Sequence, residues 1–156
     1  MSKFQKILLI LASSKKDGKK DEFIVNLCEE FGEACQTQDI QVDWIDLYAD
    51  EAKTEFETFG SLSERDAKII EYQFRIKRAD CLAFFHPVRW NSVPAILKGF
   101  LDRTLTNGYA YKSEKNGLEP LLNDKYALVY AFSDNFEWQN RLYYNNTLET
   151  FWRRGI

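Results

Sequence analysis

The chain has 156 residues, which predicts one domain over residues 1–156 with a core large enough to need no disulfide staples. Hydrophobic residues make up 45% and charged residues 29%, which excludes a mainly disordered or collagen-like chain. A net charge of −3 is a poor match to nucleic acid, so no nucleic-acid partner is expected.

The run from Ile7 to Ala12 is apolar throughout. Such a run suits a strand covered on both faces and is far too short to cross a bilayer. Met1–Lys6 leads into it with no secretory signal, so no membrane insertion and a cytoplasmic location are expected. A lysine-rich segment, residues 13–20, follows. Ile24, Leu27, Cys28, Phe31 and Cys35 then recur at helical spacing and predict a helix from about Asp21 to Thr37. Val42 to Leu47 reads as a second strand. After an irregular acidic stretch, residues 48–62, Ser63 reads as the N-cap of a second helix whose apolar stripe is Ala67, Ile70 and Phe74.

Cys81 to Phe85 reads as a third strand, stopped by His86-Pro87. Pro94 suits the first turn of a third helix with Ile96, Leu97, Phe100, Leu101 and Leu105 on its buried face, ended by Asn107-Gly108. A loop containing Asn116-Gly117 and Pro120 leads to a fourth strand, Tyr126 to Phe132. From about Asn135 the composition is helical, with Tyr144, Leu148, Phe151 and Trp152 at spacings of four, three and one. Strands alternating with helices argue for an α/β fold, a parallel sheet with helices on both faces. Cys28, Cys35 and Cys81 lack metal spacing and read as reduced, buried thiols, and a single histidine rules out a multi-histidine metal site.

Ligands of such sheets sit beyond the carboxyl ends of the strands, near the point where strand order reverses. Three loops qualify: residues 13–20, 86–93 and 133–136. The first places Lys15, Lys16, Lys19 and Lys20 just before a helix, where cations are unfavourable unless an anion arrives. A phosphate on the free N–H groups would resolve the conflict; a solvated loop neutralised in part by Asp17 and Asp21 is the alternative. In the second loop Pro87 and Pro94 stiffen the chain around Trp90, which suits a flat aromatic ligand unless Trp90 packs on a neighbouring element. His86, at a strand end, reads as structural. Lys98 and Asp102-Arg103 read as a solvated, paired helix face.

The motifs Asp46-Leu-Tyr-Ala49, Ala79-Asp80, His86-Pro87-Val88-x-Trp90-x-Ser92-x-Pro94-Ala-Ile-Leu-Lys-Gly-Phe-x-Asp-Arg103, Gly108-Tyr-Ala-Tyr111 and Leu121-Leu-x-Asp-Lys-x-Ala-Leu128 run in order along the chain. They resemble the NAD(P)H:quinone oxidoreductases of the flavodoxin-like fold. The first loop is more similar to the Ser-Pro-Arg-x-x-Gly-Asn-Thr loop of NADPH-dependent FMN reductases, with Lys19-Lys20 in place of Asn-Thr. The resemblance implies a three-layer sandwich with a parallel sheet in the order 2-1-3-4-5, of which four strands are readable here, in the order 2-1-3-4. It implies FMN, or FAD, with NAD(P)H as co-substrate, a quinone or similar electron acceptor, and a homodimer.

Carried over by position, Pro87, Val88, Arg89, Trp90 and Asn91 would contact the flavin ring, largely through backbone. Ser133, Asp134 and Asn135 would lie near its pyrimidine side. Ser13, Lys15, Gly18, Lys19 and Lys20 would surround the phosphate. No residue is assigned as catalytic acid or base, because the flavin carries the chemistry. The fourth-strand loop, Phe132-Ser-Asp-Asn-Phe136, lacks the glycine turn usual in the family. That departure and the altered first loop favour an alternative, a non-enzymatic or weakly flavin-binding ancillary subunit. The chain is short for the family, and nine of its 24 aromatic residues lie between Tyr126 and Trp152. Either the edge strand is absent or its residues lie beyond this sequence; without a fifth strand to cover these aromatics, burial by a second subunit is expected.

Overall fold

The computed structural model describes residues 4–14, 19–49, 66–114, 117–134 and 146–154. The main elements in chain order are β1 (Lys6–Leu11), α1 (Lys19–Thr37), β2 (Gln41–Asp46), α2 (Asp66–Arg78), β3 (Cys81–Pro87) and α3 (Ala95–Thr104). They are followed by β4 (Tyr111–Glu114), β5 (Gly117–Pro120), β6 (Tyr126–Phe132) and α4 (Thr147–Arg154).

The two most apolar strands take the middle of the sheet. β1 and β3 are flanked by β2 and β6 in the order β2-β1-β3-β6, all parallel, which is the expected 2-1-3-4 order counted over the main strands. Leu9 stands opposite Trp44 on one side and Ala83 on the other. The two-residue period of the strands feeds two cores. Ile7, Leu9, Leu11, Cys81, Ala83 and Phe85 face α1, where Ile24 and Cys28 are buried. Leu8, Ile10, Leu82 and Phe84 face α2, α3 and α4. Each fully buried leucine or isoleucine in these layers contributes about 1.5–3 kcal/mol of transfer free energy. α1 lies close on the sheet at Gly32, where an added Cβ would meet Leu9 Cδ1 at 3.1 Å.

Two of the sequence motifs tie the bottom of the sheet. The Asp80 carboxylate accepts the N–H groups of Gln5 and Lys6, each at 2.8 Å. These bonds hold its carboxyl below the usual carboxylate range. Lys125 Nζ donates to the carbonyls of Lys77 and Ala79 at 2.9 Å. Ala79-Asp80 and Asp124-Lys125 thus lock the starts of β1, β3 and β6 together, at the end of the sheet opposite the loops read as ligand sites.

Several expectations are corrected. The segment read as a loop is not a plain one at Gly117–Pro120: β4 and β5 form an antiparallel hairpin, with Tyr111 opposite Pro120, while Asn116 lies outside the described residues. Asn-Gly between extended segments is itself a strong hairpin signal. His86-Pro87 does not stop β3, which pairs with β6 through Pro87 opposite Phe132. Pro87 faces the β1 side, where Ala12 N–H already bonds Phe85 O and β1 has ended, so its missing N–H costs the ladder nothing.

The stripe assigned to α2 is on the wrong face. Ile70 and Phe74 are 59% and 58% exposed, while Tyr72 and Ile76 are buried with Ile69 packed beside them. α3 ends at Thr104, before Asn107-Gly108, when the Leu105 N–H closes on Leu101 O at 2.8 Å. β2 is shifted by one residue from the expected span. The Ser63 cap lies outside the described residues. The three cysteines are free and buried, as expected.

Candidate functional site

The site is built on the carboxyl ends of β1, β3 and β6. Beyond Pro87, the Val88 N–H donates to Phe132 O at 2.7 Å and carries the chain one residue past the ladder. Arg89 and Ser92 then exchange two backbone hydrogen bonds, each at 3.0 Å. Between them Trp90 has φ +52° and Asn91 φ +57°. Two successive left-handed residues closed in this way form a two-residue type I′ turn. Asparagine tolerates this conformation, but a tryptophan there stores about 1–3 kcal/mol of strain. Buried Pro87, Val93 and Pro94 brace the turn on both sides. Trp90 sits at its tip, fully exposed, so it packs against no neighbouring element.

Arg89 reaches from this turn to the start of α1. Its Nη2 donates to both carboxylate oxygens of Asp21, at 3.1 and 3.0 Å. Asp21 is only 3% exposed and lies in the first turn of α1, where the helix dipole favours a negative charge. Ser13 Oγ, also buried, donates to Asp21 Oδ1 at 2.9 Å. Serine, aspartate and arginine thus join the ends of β1 and β3 to the N-terminus of a 19-residue helix. In the sequence Asp21 reads only as the start of a helix and a partial neutraliser of the lysine loop. Its place in a helix first turn was the signal for more, but nothing local pointed to a partner 68 residues away.

The other expected site residues fall as follows. Pro87 is buried and Val88 half-buried beside the turn; Asn91 is half-buried on it. Ser133 is half-buried and Asp134 exposed just past β6. Lys19 and Lys20 open α1. Lys15, Gly18 and Asn135 lie outside the described residues. Beside Ser13, a cavity of about 500 Å³ is lined by Ser13, Ser14, Glu29, Asp46 and Tyr48. Asp46 Oδ1 caps the turn after β2 by accepting the N–H groups of Tyr48 and Ala49 at 2.9 and 3.1 Å.

The remaining reactive groups are structural. His86 is fully buried, and its Nδ1 lies 3.0 Å from Pro87 O. A carbonyl can only accept, so Nδ1 carries the proton. Among the described residues Nε2 has no hydrogen-bond partner, and burial pushes the imidazole pKa down. Burial pushes the Cys28 thiol up, and Cys81 to about 11, which removes both as nucleophiles near neutrality. Lys98 and Asp102 form the expected exposed pair on α3. Among the described residues no group of three or more His, Cys, Asp or Glu is placed to hold a metal ion.

Comparisons with known proteins agree with this architecture. NAD(P)H dehydrogenase [quinone] 1 of Cavia porcellus is 30% identical over 132 residues, covering 71% of this chain and 46% of that protein. An FMN-dependent NADH:quinone oxidoreductase of Clostridium beijerinckii is 29% identical over 136 residues, covering 81% of this chain and 67% of that protein. The crystal structure of Smu.1420 from Streptococcus mutans superposes with a TM-score of 0.69 at 28% identity, covering 87% of this chain and 72% of that one. The chain spans about a quarter to a half of the length of several curated relatives it matches. A family model described as flavodoxin-like fold matches residues 5–155, and with the parallel order β2-β1-β3-β6 it shows that the chain belongs to the flavodoxin-like family.

Proposed function

We propose that the chain is, as a single domain, the flavin-binding part of an FMN-dependent NAD(P)H oxidoreductase that reduces a quinone or a similar acceptor. The observation that carries this reading is Trp90, an indole held out in water on a strained turn at the carboxyl end of β3. A fold does not keep such a residue in such a place for packing; it suits a flat ring stacked on it. The name of the Clostridium beijerinckii relative, FMN-dependent NADH:quinone oxidoreductase, supports the choice of cofactor and acceptor.

The donor set fits a flavin mononucleotide. The free N–H groups at the start of α1, Ser13 and the basic residues Lys15, Lys19 and Lys20, with Gly18 between them, would receive the phosphate. Pro87, Val88, Arg89, Trp90 and Asn91 would hold the ring, with Ser133, Asp134 and Asn135 at its pyrimidine side. The bound flavin supplies the chemistry, taking two electrons from NAD(P)H and passing them on, so that NAD(P)H, a proton and a quinone become NAD(P)⁺ and a hydroquinone. The protein's own part is placement. Trp90 covers one face of the slot and excludes water from it. Asp21 anchors Arg89, which keeps the turn registered on α1 and leaves the remaining guanidinium donors for developing negative charge.

The protein acts in the cytoplasm as a homodimer in this reading. Among the described residues no helix is long and apolar enough to cross a membrane. One observation favours the second reading, an ancillary subunit with weak flavin affinity: the buried Asp21 carboxylate already takes up Ser13 and Arg89 beside the phosphate corner. A titration separates the two. Dialysed protein receiving FMN should show a saturable change in the flavin absorbance bands, and NADH should then be consumed only when a simple quinone is present. Absence of any saturable change and of turnover would overturn the enzyme reading in favour of the ancillary one.

A further inference from the structure

The corner where β1, β3 and α1 meet holds a buried carboxylate at the place where a phosphate is expected to arrive. Asp21 is the third residue of α1 and is 3% exposed. Its side chain is turned inward. Oδ1 accepts from Ser13 Oγ at 2.9 Å, and both oxygens accept from Arg89 Nη2, at 3.1 and 3.0 Å. Ser13 is itself buried, whereas the Arg89 side chain is 49% exposed.

A hydroxyl, a guanidinium and the free N–H groups of a helix start are the donors that receive phosphoryl oxygens. Here the first two already serve Asp21. Charge conflicts as well. The first four N–H groups of α1 lack helical partners, and that of Asp21 is one of them. A side chain and an N–H on one Cα stay close, so a phosphate seated on these groups would stand within about 8 Å of the Asp21 carboxylate. Asp21 is out of water, so little solvent screens that repulsion. Arg89 offsets it. Its half-exposed guanidinium has donors to spare for a phosphate, while the carboxylate is fixed in the corner.

We propose that Asp21 sets how much negative charge this corner admits. With Arg89 it forms a pair of no net charge, so a flavin phosphate gains far less there than a helix start with an unpaired arginine would give it. The flavin is then held chiefly by its ring and exchanges readily. The lysines between Lys15 and Lys20 add to phosphate affinity whatever stands at position 21. This rests on the flavin reading given above and assigns to one residue the control of cofactor affinity.

The test uses the full chain as wild type, Asp21→Asn, Arg89→Gln and the double variant, each checked for folding by circular dichroism. Asparagine keeps an oxygen for Ser13, removes the charge and releases Arg89. FMN and riboflavin, which lacks the phosphate, are titrated separately. A change in ring stacking moves both affinities alike, so their ratio reports the phosphate corner alone. The FMN-to-riboflavin ratio should rise about tenfold in Asp21→Asn, fall in Arg89→Gln and return near the wild-type value in the double variant, where the corner is again neutral. A parallel loss of both flavins in Asp21→Asn, with the ratio unchanged or lowered, overturns the proposal and leaves Asp21 as an anchor of the turn. Inorganic phosphate gives a readout free of the ring: it should raise the unfolding midpoint of Asp21→Asn more than that of the wild type. If no protein binds either flavin but this difference is seen, the flavin reading falls and the role of Asp21 stands. If phosphate also acts on both proteins alike, both fall.

Discussion

His86 is the one histidine in the chain, so it dominates the change of stability between pH 7 and 5. Burial depresses its folded pKa below the ordinary 6.5, so the unfolded chain takes up a proton that the folded chain refuses. The stability that goes with the neutral ring is present above 6.5 and is lost as the pH falls toward the folded pKa. Denaturant melts should show a loss approaching about 1.4 kcal/mol per pH unit below 6.5, and His86→Phe should flatten that slope. An equal slope in the variant would contradict this account. The residue was legible as structural from its place at a strand end. Trp90 was legible as a loop aromatic, but not as a left-handed one, because φ there is imposed by the Arg89–Ser92 closure and the buried prolines around it. The Asp21–Arg89 pair was not legible at all: it joins the turn after β3 to the first turn of α1, which only the sheet order brings together.

At the level of elements, the strands were readable because continuous apolar runs have one good use in a parallel sheet. Helix faces were less so. α2 offers two stripes at helical spacing, Ala67, Ile70 and Phe74 or Ile69, Tyr72 and Ile76, and periodicity cannot choose between them. The choice is made by what the helix docks on. Tyr72 meets Phe100 edge-on at 5.2 Å, and Gln73 Nε2 donates to Thr104 O at 2.9 Å, so α3 fixes the rotation of α2. Phe74 is left outside with the Arg78 guanidinium 5.3 Å over its ring. Ile70→Lys and Phe74→Lys should therefore change stability by no more than about 0.5 kcal/mol, while Ile76→Ala should cost about 2–5 kcal/mol. Equal losses at the three positions would restore the stripe first read from the sequence. The β4–β5 hairpin was signalled by Asn116-Gly117, though weakly, because its flanks Lys112-Ser113-Glu114 and Leu118-Glu119 lack the apolar alternation of a packed strand.

For the whole molecule, the layers followed from alternation of strand and helix and the strand order from the family resemblance, and the motif blocks turned out to do different work. Asp80 and Lys125 hold the base of the sheet, Asp46 caps a turn, and the Pro87–Pro94 block shapes the ligand end. Structural ties and site residues look alike in a sequence, and separate only when the ends of the strands are known. The proposed site stacks a flavin on the Trp90 turn. Its most direct test is FMN titration, followed by quenching of flavin fluorescence, of the wild type and Trp90→Ala. Saturable quenching at one FMN per chain is expected, with affinity about tenfold weaker in the variant, the loss of one aromatic stack of about 1–1.5 kcal/mol. Equal affinity in the two proteins, or no saturable quenching in the wild type, would contradict it.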